Sequence, residues 1–283
     1  MTAGEAIRAA AERLSAISDT ARLDAEVLMA HAFGVSRSDL FLRHMRDPEP
    51  AGFAALVERR AASEPVAYIV GNQDFFGLTL AVSPAVLIPR GDSEVLVEAA
   101  LAARPDAKRV LDCGTGSGAL LLAVLANLPG ASGIGIDHSP EALAVARGNA
   151  ETIGLADRAE MRMADWDQAD WSAGLGQFDL ILANPPYVEE AAELDPSVRA
   201  YEPSGALFAG IEGLDAYRVL IPQLPDLLAP EGAALIEIGH TQAEPVTAIA
   251  RGAGFTCRLY HDLGGRPRVL ELQIPLGKQD ASA

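Results

Sequence analysis

The chain has 283 residues, 49% of them apolar, and carries 22 basic against 39 acidic side chains, a formal charge of −17. A chain of this length and apolar content can bury a full core without disulfide or metal staples. So acidic a chain is a poor match for nucleic acid, whose binding is driven by basic residues that displace counterions. The acidity is uneven: residues 1–90 carry 9 basic and 11 acidic side chains, and residues 91–283 carry 13 and 28, so the N-terminal third is the better candidate for docking a macromolecule.

The opening residues, MTAGEAIRAAAERL, lack the basic-then-apolar order of a signal peptide, and the longest apolar run, Ala119 to Ala126, is too short for a bilayer. The expectation is a cytoplasmic monomer without membrane contact. Cys113 and Cys257 have no metal-ligand spacing and read as reduced core thiols.

From residue 3 to about 63 the segments AGEAIRAAAERL, TARLDAEVLMAHAF with Gly34 as a stop, SRSDLFLR and AGFAALVERRAA follow helical periodicity. They predict a small helical domain over residues 1–64. Residues 65–90 change pattern to AYIVG, DFFGLTLAV and VLIP, β-rich pieces separated by Gly and Asn, which predict a hairpin linker. Residues 91–283 then alternate. RVLDCG, ASGIGID, AEMRMA, FDLILAN and GAALIEIG read as strands, with GALLLAVLANL and SPEALAVARGNAETIG as helices between them. That order predicts an α/β, doubly wound parallel sheet. The last two segments, FTCRLYHDL and RPRVLELQI, are joined through Gly264-Gly265. A connection too short for a crossover helix joins only antiparallel strands, which argues against a plain dinucleotide-binding sheet.

Three stretches carry chemistry. In LDCGTGSG, Gly114, Thr115, Gly116, Ser117 and Gly118 lie between a strand and a helix, where the backbone can approach a ligand with a helix N-terminus behind it. Gly114, Gly116 and Ala119 also satisfy the dinucleotide spacing, so the loop alone admits either a nicotinamide cofactor or S-adenosylmethionine. Asp137 closes the second strand, where a carboxylate can accept from ribose hydroxyls; Ser139 with Pro140 serves as the N-cap of the following helix. Asp165 and Trp166 are candidates to flank an adenine, the acid accepting from its amino group and the indole covering the ring, with Trp171 competing for the stacking position.

Asn184-Pro185-Pro186-Tyr187, after the fourth strand, favours S-adenosylmethionine. An amide or exocyclic amine nitrogen has a delocalised lone pair and attacks a methyl sulfonium poorly. The Asn184 side-chain oxygen and the Pro185 carbonyl could each hold one N–H and turn that lone pair toward the methyl carbon, a matter of positioning and preorganisation rather than of a strong base. Tyr187 could stack on the planar acceptor. The five histidines show neither HExxH nor Cys-paired spacing, so no metal site is expected.

With these residues in view the chain resembles the PrmC or HemK family, bacterial protein-(glutamine-N) methyltransferases that modify class I peptide chain release factors. The resemblance runs through RLDAEVLMAHAFG, PVAYIVGNQDFFGLTLAV, VLIPR, LDCGTGSGALLLAVL, DHSPEALAVARGNA, ANPPYV, YEPSGALFAGIEGLDAYR, LIEIGHTQ and DLGGRPRVL. It implies a seven-stranded methyltransferase sheet and a helical domain that helps recognise the factor. It also implies methyl transfer from S-adenosylmethionine to the glutamine amide of the factor's Gly-Gly-Gln tripeptide. By position, Gly114 to Gly118 would hold the methionine part, Asp137 the ribose, Trp166 the adenine region, and Asn184 to Tyr187 the glutamine. Two stretches depart from the family pattern. Gly91-Asp92-Ser93-Glu94 stands where Pro-Glu-Thr-Glu is usual, and the stretch from Asp165 to Phe178 is long. The competing readings are glutamine methylation of a ribosomal protein, exocyclic-amine methylation of a nucleic-acid base, a non-catalytic cofactor-binding adaptor, and an NAD-dependent dehydrogenase.

Overall fold

The computed structural model describes residues 1–275 of the chain. They divide into two compact units: Met1–Asn72 with Leu194–Tyr201, and Gln73–Glu193 with the residues from Glu202 onward.

The first unit is helical. α1 (Ala3–Leu14) begins at a capping box in which the Thr2 hydroxyl accepts from Glu5 N–H and the Glu5 carboxylate accepts from Thr2 N–H, so two otherwise orphaned donors are satisfied. α2 (Ala21–Phe33) ends at Gly34 in the left-handed conformation. α3 (Arg37–Asp39) is only a turn, and the predicted SRSDLFLR helix continues as a π-helical turn over Leu40–His44. α4 (Phe53–Ala61) and α5 (Val66–Val70) complete the bundle around Ile7, Leu14, Leu28, Met29, Leu40, Phe53, Val57 and Ile69. α5 corrects the sequence expectation of a β segment at AYIVG. Pro65 sets φ at −59°, its carbonyl accepts from both Tyr68 and Ile69 N–H, and Gly71 in the left-handed region closes the turn onto Ala67. Burial of Ala67, Tyr68 and Ile69 in one helical turn outweighs the β preference of the branched residues.

The second unit opens with the hairpin β1 (Asn72–Phe75) and β2 (Leu78–Ala81), turned through Phe76 and Gly77, both at positive φ, the requirement of a tight two-residue turn. VLIP, expected as strand, joins no ladder; it runs as an irregular strap before α6 (Glu94–Ala103). The chain then forms β3 (Arg109–Cys113), α7 (Ala119–Asn127), β4 (Ser132–Asp137), α8 (Pro140–Thr152), β5 (Ala159–Met163) and β6 (Phe178–Ala183). α9 (Pro196–Tyr201) falls in the first unit, where the Tyr201 hydroxyl donates to the Ala62 carbonyl at 2.9 Å. α10 (Asp215–Leu220), β7 (Leu228–Glu237), α11 (Ala243–Gly252), β8 (Thr256–His261) and β9 (Pro267–Gln273) complete the order.

Seven strands form one sheet in the order β5-β4-β3-β6-β7-β9-β8, parallel except where β9 runs antiparallel to both neighbours. Successive residues feed opposite cores. Val110, Leu180, Leu182 and Leu235 pack on one face; Leu111, Ile181, Ala234 and Ile236 pack on the other. This two-sided burial is why a central strand such as β6 reads as a nearly continuous apolar run, while the edge strand β5 alternates. The crossover direction reverses between β3 and β6, which opens a crevice at the carboxyl edge of the sheet. Cys113 lies in register with Ala183, so the glycine loop and Asn184 leave the sheet side by side.

Candidate active site

The carboxyl edge of the sheet in the second unit holds a cavity of about 360 Å³. Gly114 to Ser117, Asp137, Trp166, Asn184 and Pro186 are among the residues that line it. Two straps complete the wall: Ala85 to Leu87 with Pro89 and Arg90, and Pro203 to Ala206.

The glycine loop is shaped by backbone bonds. Gly114 and Thr115 N–H both donate to the Ile136 carbonyl, at 2.9 and 2.8 Å, and Gly118 N–H donates to Thr115 at 2.7 Å. Gly114 and Gly116 have φ of +76° and +55°, a region costly for other L-residues. A Cβ on Gly114 would lie 3.0 Å from the Trp166 indole, whereas one on Gly116 would meet nothing within 4 Å. The loop therefore carries the indole on one side and leaves room for a ligand on the other. Gly118 is not among the lining residues; it starts α7. Beneath the loop, Asp112 is buried and accepts from the Thr115 hydroxyl at 2.6 Å. Burial pushes its carboxyl up to about 7, against the Thr115 bond, which pulls it down.

Asp137 points both carboxylate oxygens at backbone donors: Oδ2 accepts from Gly116 N–H and Oδ1 from Ser139 N–H, each at 2.9 Å. Each carboxylate oxygen keeps capacity for another donor. The Ser139 hydroxyl caps α8 by accepting from Ala142 N–H at 3.1 Å, with Pro140 in the first turn, so capping does not consume the aspartate.

The structure separates the two tryptophans. Trp166 lines the cavity, while Trp171 does not and donates its indole N–H to Gln223 Oε1 at 2.6 Å. Gln223 Nε2 in turn donates to the Trp166 carbonyl at 3.2 Å. Asp165 is not brought to the cavity wall. Its oxygens take Asp167 N–H at 3.0 Å and the Gln168 side chain at 3.4 Å, stabilising the turn after β5.

Asn184 and Pro186 line the cavity, while the buried Pro185 and the half-buried Tyr187 are not among its lining residues. Among the described residues none hydrogen-bonds to the Asn184 side chain, so its acceptor oxygen is available toward the cavity. The chain beyond the prolines is pinned to the segment 207–213: Val188 N–H donates to Leu207, Ala209 N–H to Val188 and Glu190 N–H to Gly210. Gly213, at φ +66°, packs so closely that a Cβ there would fall 2.3 Å from the Tyr187 carbonyl oxygen. Burial pushes the Tyr187 phenol up to about 12, with the Glu237 carboxylate adding to it.

Sequence reasoning missed Glu202 as the link between the straps. Its nearly buried carboxylate takes the Ile88 N–H at 3.2 Å and pairs with the Arg90 guanidinium. The signal was present only as the separate stretches VLIPR and YEPSGAL; nothing local joins two residues 112 positions apart.

Two family models match the chain, one described as the PrmC N-terminal domain over residues 5–71 and one as a methyltransferase domain over residues 105–244. The release factor glutamine methyltransferase of Cereibacter sphaeroides is 44% identical over 97% of this chain and 99% of its own length. The protein of the same name from Caulobacter vibrioides is 42% identical over 95% of this chain and 96% of its own. Among solved structures, a methyltransferase from Pyrococcus furiosus superposes with a TM-score of 0.50 at 17% identity, covering 70% of this chain and 89% of that one, a likeness of fold.

Proposed function

The chain belongs to the release factor glutamine methyltransferase family, and from that premise we propose that it methylates the side-chain amide of the glutamine in the Gly-Gly-Gln tripeptide of class I peptide chain release factors, with S-adenosylmethionine as donor. The observation that carries this reading is the meeting of Asn184 with the glycine loop, Asp137 and Trp166 around one cavity. The donor, when bound, supplies an electrophilic methyl on a sulfonium.

The residues fit that donor. Gly114 to Ser117 offer a close backbone cradle backed by the start of α7. Asp137 accepts the ribose hydroxyls with the oxygen capacity that Gly116 and Ser139 leave. Trp166 covers the adenine. Asp165, tied into its own turn, is a weaker candidate for the adenine amino group than it was from sequence. On the acceptor side, Asn184 Oδ1 and the Pro185 carbonyl each take one N–H of the glutamine amide, and Tyr187 bounds the acceptor plane. Holding both protons fixes the nitrogen lone pair on the line of displacement, so the barrier falls through positioning and preorganised dipoles. Transfer of the methyl group releases one amide proton. The helical unit docks the release factor, consistent with the small charge imbalance of residues 1–90. With a translation factor as substrate, the cell compartment is the cytoplasm. Among the described residues no helix is long and apolar enough to cross a membrane.

A competition assay tests the substrate. The enzyme is offered a class I release factor, a ribosomal protein rich in exposed glutamine and a single-stranded oligonucleotide at equal concentration. Methyl incorporation into the release factor is expected; preferential labelling of either other acceptor contradicts the reading.

A further inference from the structure

Behind the Asn-Pro-Pro-Tyr loop, at the end of β7, lies a buried polar group with no part in the chemistry above. Glu237 is 2% exposed, yet its Oε1 faces the Tyr187 hydroxyl at 3.5 Å, the long end of hydrogen-bonding range. Its Oε2 is buried without a partner among the described residues, and so is Ser93 Oγ, which approaches the carboxyl without closing a hydrogen bond. Five residues further on, Gln242 holds the other end of Tyr187. Its Nε2 donates to the Tyr187 carbonyl at 3.0 Å and to the Gly213 carbonyl at 3.1 Å, and its Oε1 accepts from Gly239 N–H at 3.0 Å. Tyr187 is thus gripped at hydroxyl and carbonyl by one short segment, residues 237–242.

We propose that Glu237 is a positioning residue, anchoring the Tyr187 hydroxyl through its carboxylate while Gln242 fixes the Tyr187 carbonyl, so that the Asn184-to-Tyr187 loop, and with it the Asn184 side chain at the cavity, is held in one place. The proposal rests on the function above for what Asn184 faces, but the grip itself is a property of this chain. Hydrogen bonds to an ionised acceptor are about twice as strong as neutral ones, and bonds in a free enzyme are often long and tighten when substrate binds. The grip therefore strengthens when Glu237 ionises. Burial pushes that ionisation up to about 7. The groups facing it are Tyr187 from the loop, Tyr217 of α10, whose hydroxyl donates to the Glu237 carbonyl at 3.0 Å, Asp92 and Ser93 before α6, and Arg268 of β9. Arg268 is itself occupied by Asp92 at 2.6 Å and Asp262 at 3.1 Å, which leaves Glu237 without a dedicated cation.

The test combines a mutant cycle with a readout that needs no substrate. Glu237→Gln, Tyr187→Phe and the double variant are compared in single-turnover methyl transfer from pH 6 to 9, with the dissociation constant of S-adenosylmethionine measured alongside. Exchanging a charged for a neutral acceptor should slow transfer roughly 5- to 30-fold above pH 7, with cofactor affinity within about twofold, and the acidic limb of the wild-type rate profile should vanish. The double variant should be no slower than Tyr187→Phe alone. In parallel, protein labelled at the phenolic carbon of its five tyrosines is titrated by carbon-13 NMR, Tyr187→Phe assigning the resonance. In the wild type the Tyr187 signal should shift with a midpoint near 7, and in Glu237→Gln it should not. Additive losses in the cycle, or a Tyr187 signal that does not titrate in the wild type, overturn the proposal. An enzyme that methylates no release factor but keeps the NMR titration overturns the function and leaves the grip standing.

Discussion

Gly114→Ala separates two jobs of the glycine loop. At φ +76° an alanine costs about 1–2 kcal/mol of backbone strain, a fall in melting temperature of roughly 2–8 °C for a domain of this size. Gly116→Ala, at φ +55°, carries a similar strain. The two differ in what the added Cβ meets. At Gly114 it lies 3.0 and 3.3 Å from the Trp166 ring, closer than ordinary van der Waals contact, and at Gly116 it meets nothing within 4 Å. Only Gly114→Ala must displace the indole. The ring has to give by a few tenths of an ångström; if it stacks on adenine, that shift forfeits part of a contact worth roughly 1–3 kcal/mol, a loss in cofactor affinity of at most about 5- to 150-fold. The assay is tryptophan emission and calorimetric binding in a Trp171→Phe background, where Trp166 is the remaining tryptophan. We expect both variants to lose similar stability and cofactor affinity, Gly114→Ala by no more than the stated factor and Gly116→Ala because its Cβ stands in the ligand's space, but only Gly114→Ala to shift the emission of the free protein. Unchanged emission and unchanged affinity in Gly114→Ala would refute the reasoning.

Other outcomes follow from the same geometry. Asn184→Ala removes one of two preorganised acceptors and should slow transfer roughly 10²- to 10³-fold, with cofactor affinity far less affected; rapid-quench kinetics beside equilibrium dialysis separates the two. Asp112, moved from 3.8 to about 7 by burial, should stabilise the fold least when ionised. Its contribution is fully present below about pH 4 and lost as pH rises through 7, a difference on the order of 4 kcal/mol. Asp112→Asn should remove that slope, so its stability relative to wild type rises with pH in urea unfolding between pH 4 and 8. Trp171→Phe loses the bond to Gln223 and should cost about 1 kcal/mol while leaving cofactor affinity unchanged, whereas Trp166→Ala should weaken binding.

The sheet was legible because its central strands are mostly apolar, FDLILA above all, and each gives way at its carboxyl end to a polar or glycine residue: Gly114, Asp137, Asn184. The terminal hairpin was legible from Gly264-Gly265 alone. Where reading failed, tertiary contacts overrode local preference. The branched residues of α5 fold as one helical turn because Pro65 and Gly71 bracket them and the helical core takes up Ile69, with Val66 and Val70 packed against it. VLIP runs as an irregular strap, and its Ile88 N–H donates to the Glu202 carboxylate instead of to a strand. In the site, Asp165 and Trp166 are neighbours in sequence, but Trp166 lines the cavity and Asp165 does not, a difference in direction that adjacency on a turn does not reveal. Glu202, Gln242 and Glu237 were invisible as partners of the site because each acts across tens of residues, a distance at which no periodicity carries information.

The central claim is tested most directly by transfer of labelled methyl from S-adenosylmethionine to a purified class I release factor, beside a variant factor whose Gly-Gly-Gln glutamine is alanine. Label on the first and none on the second is the predicted result. Equal labelling of both factors, or no label on either while the cofactor binds, would contradict it.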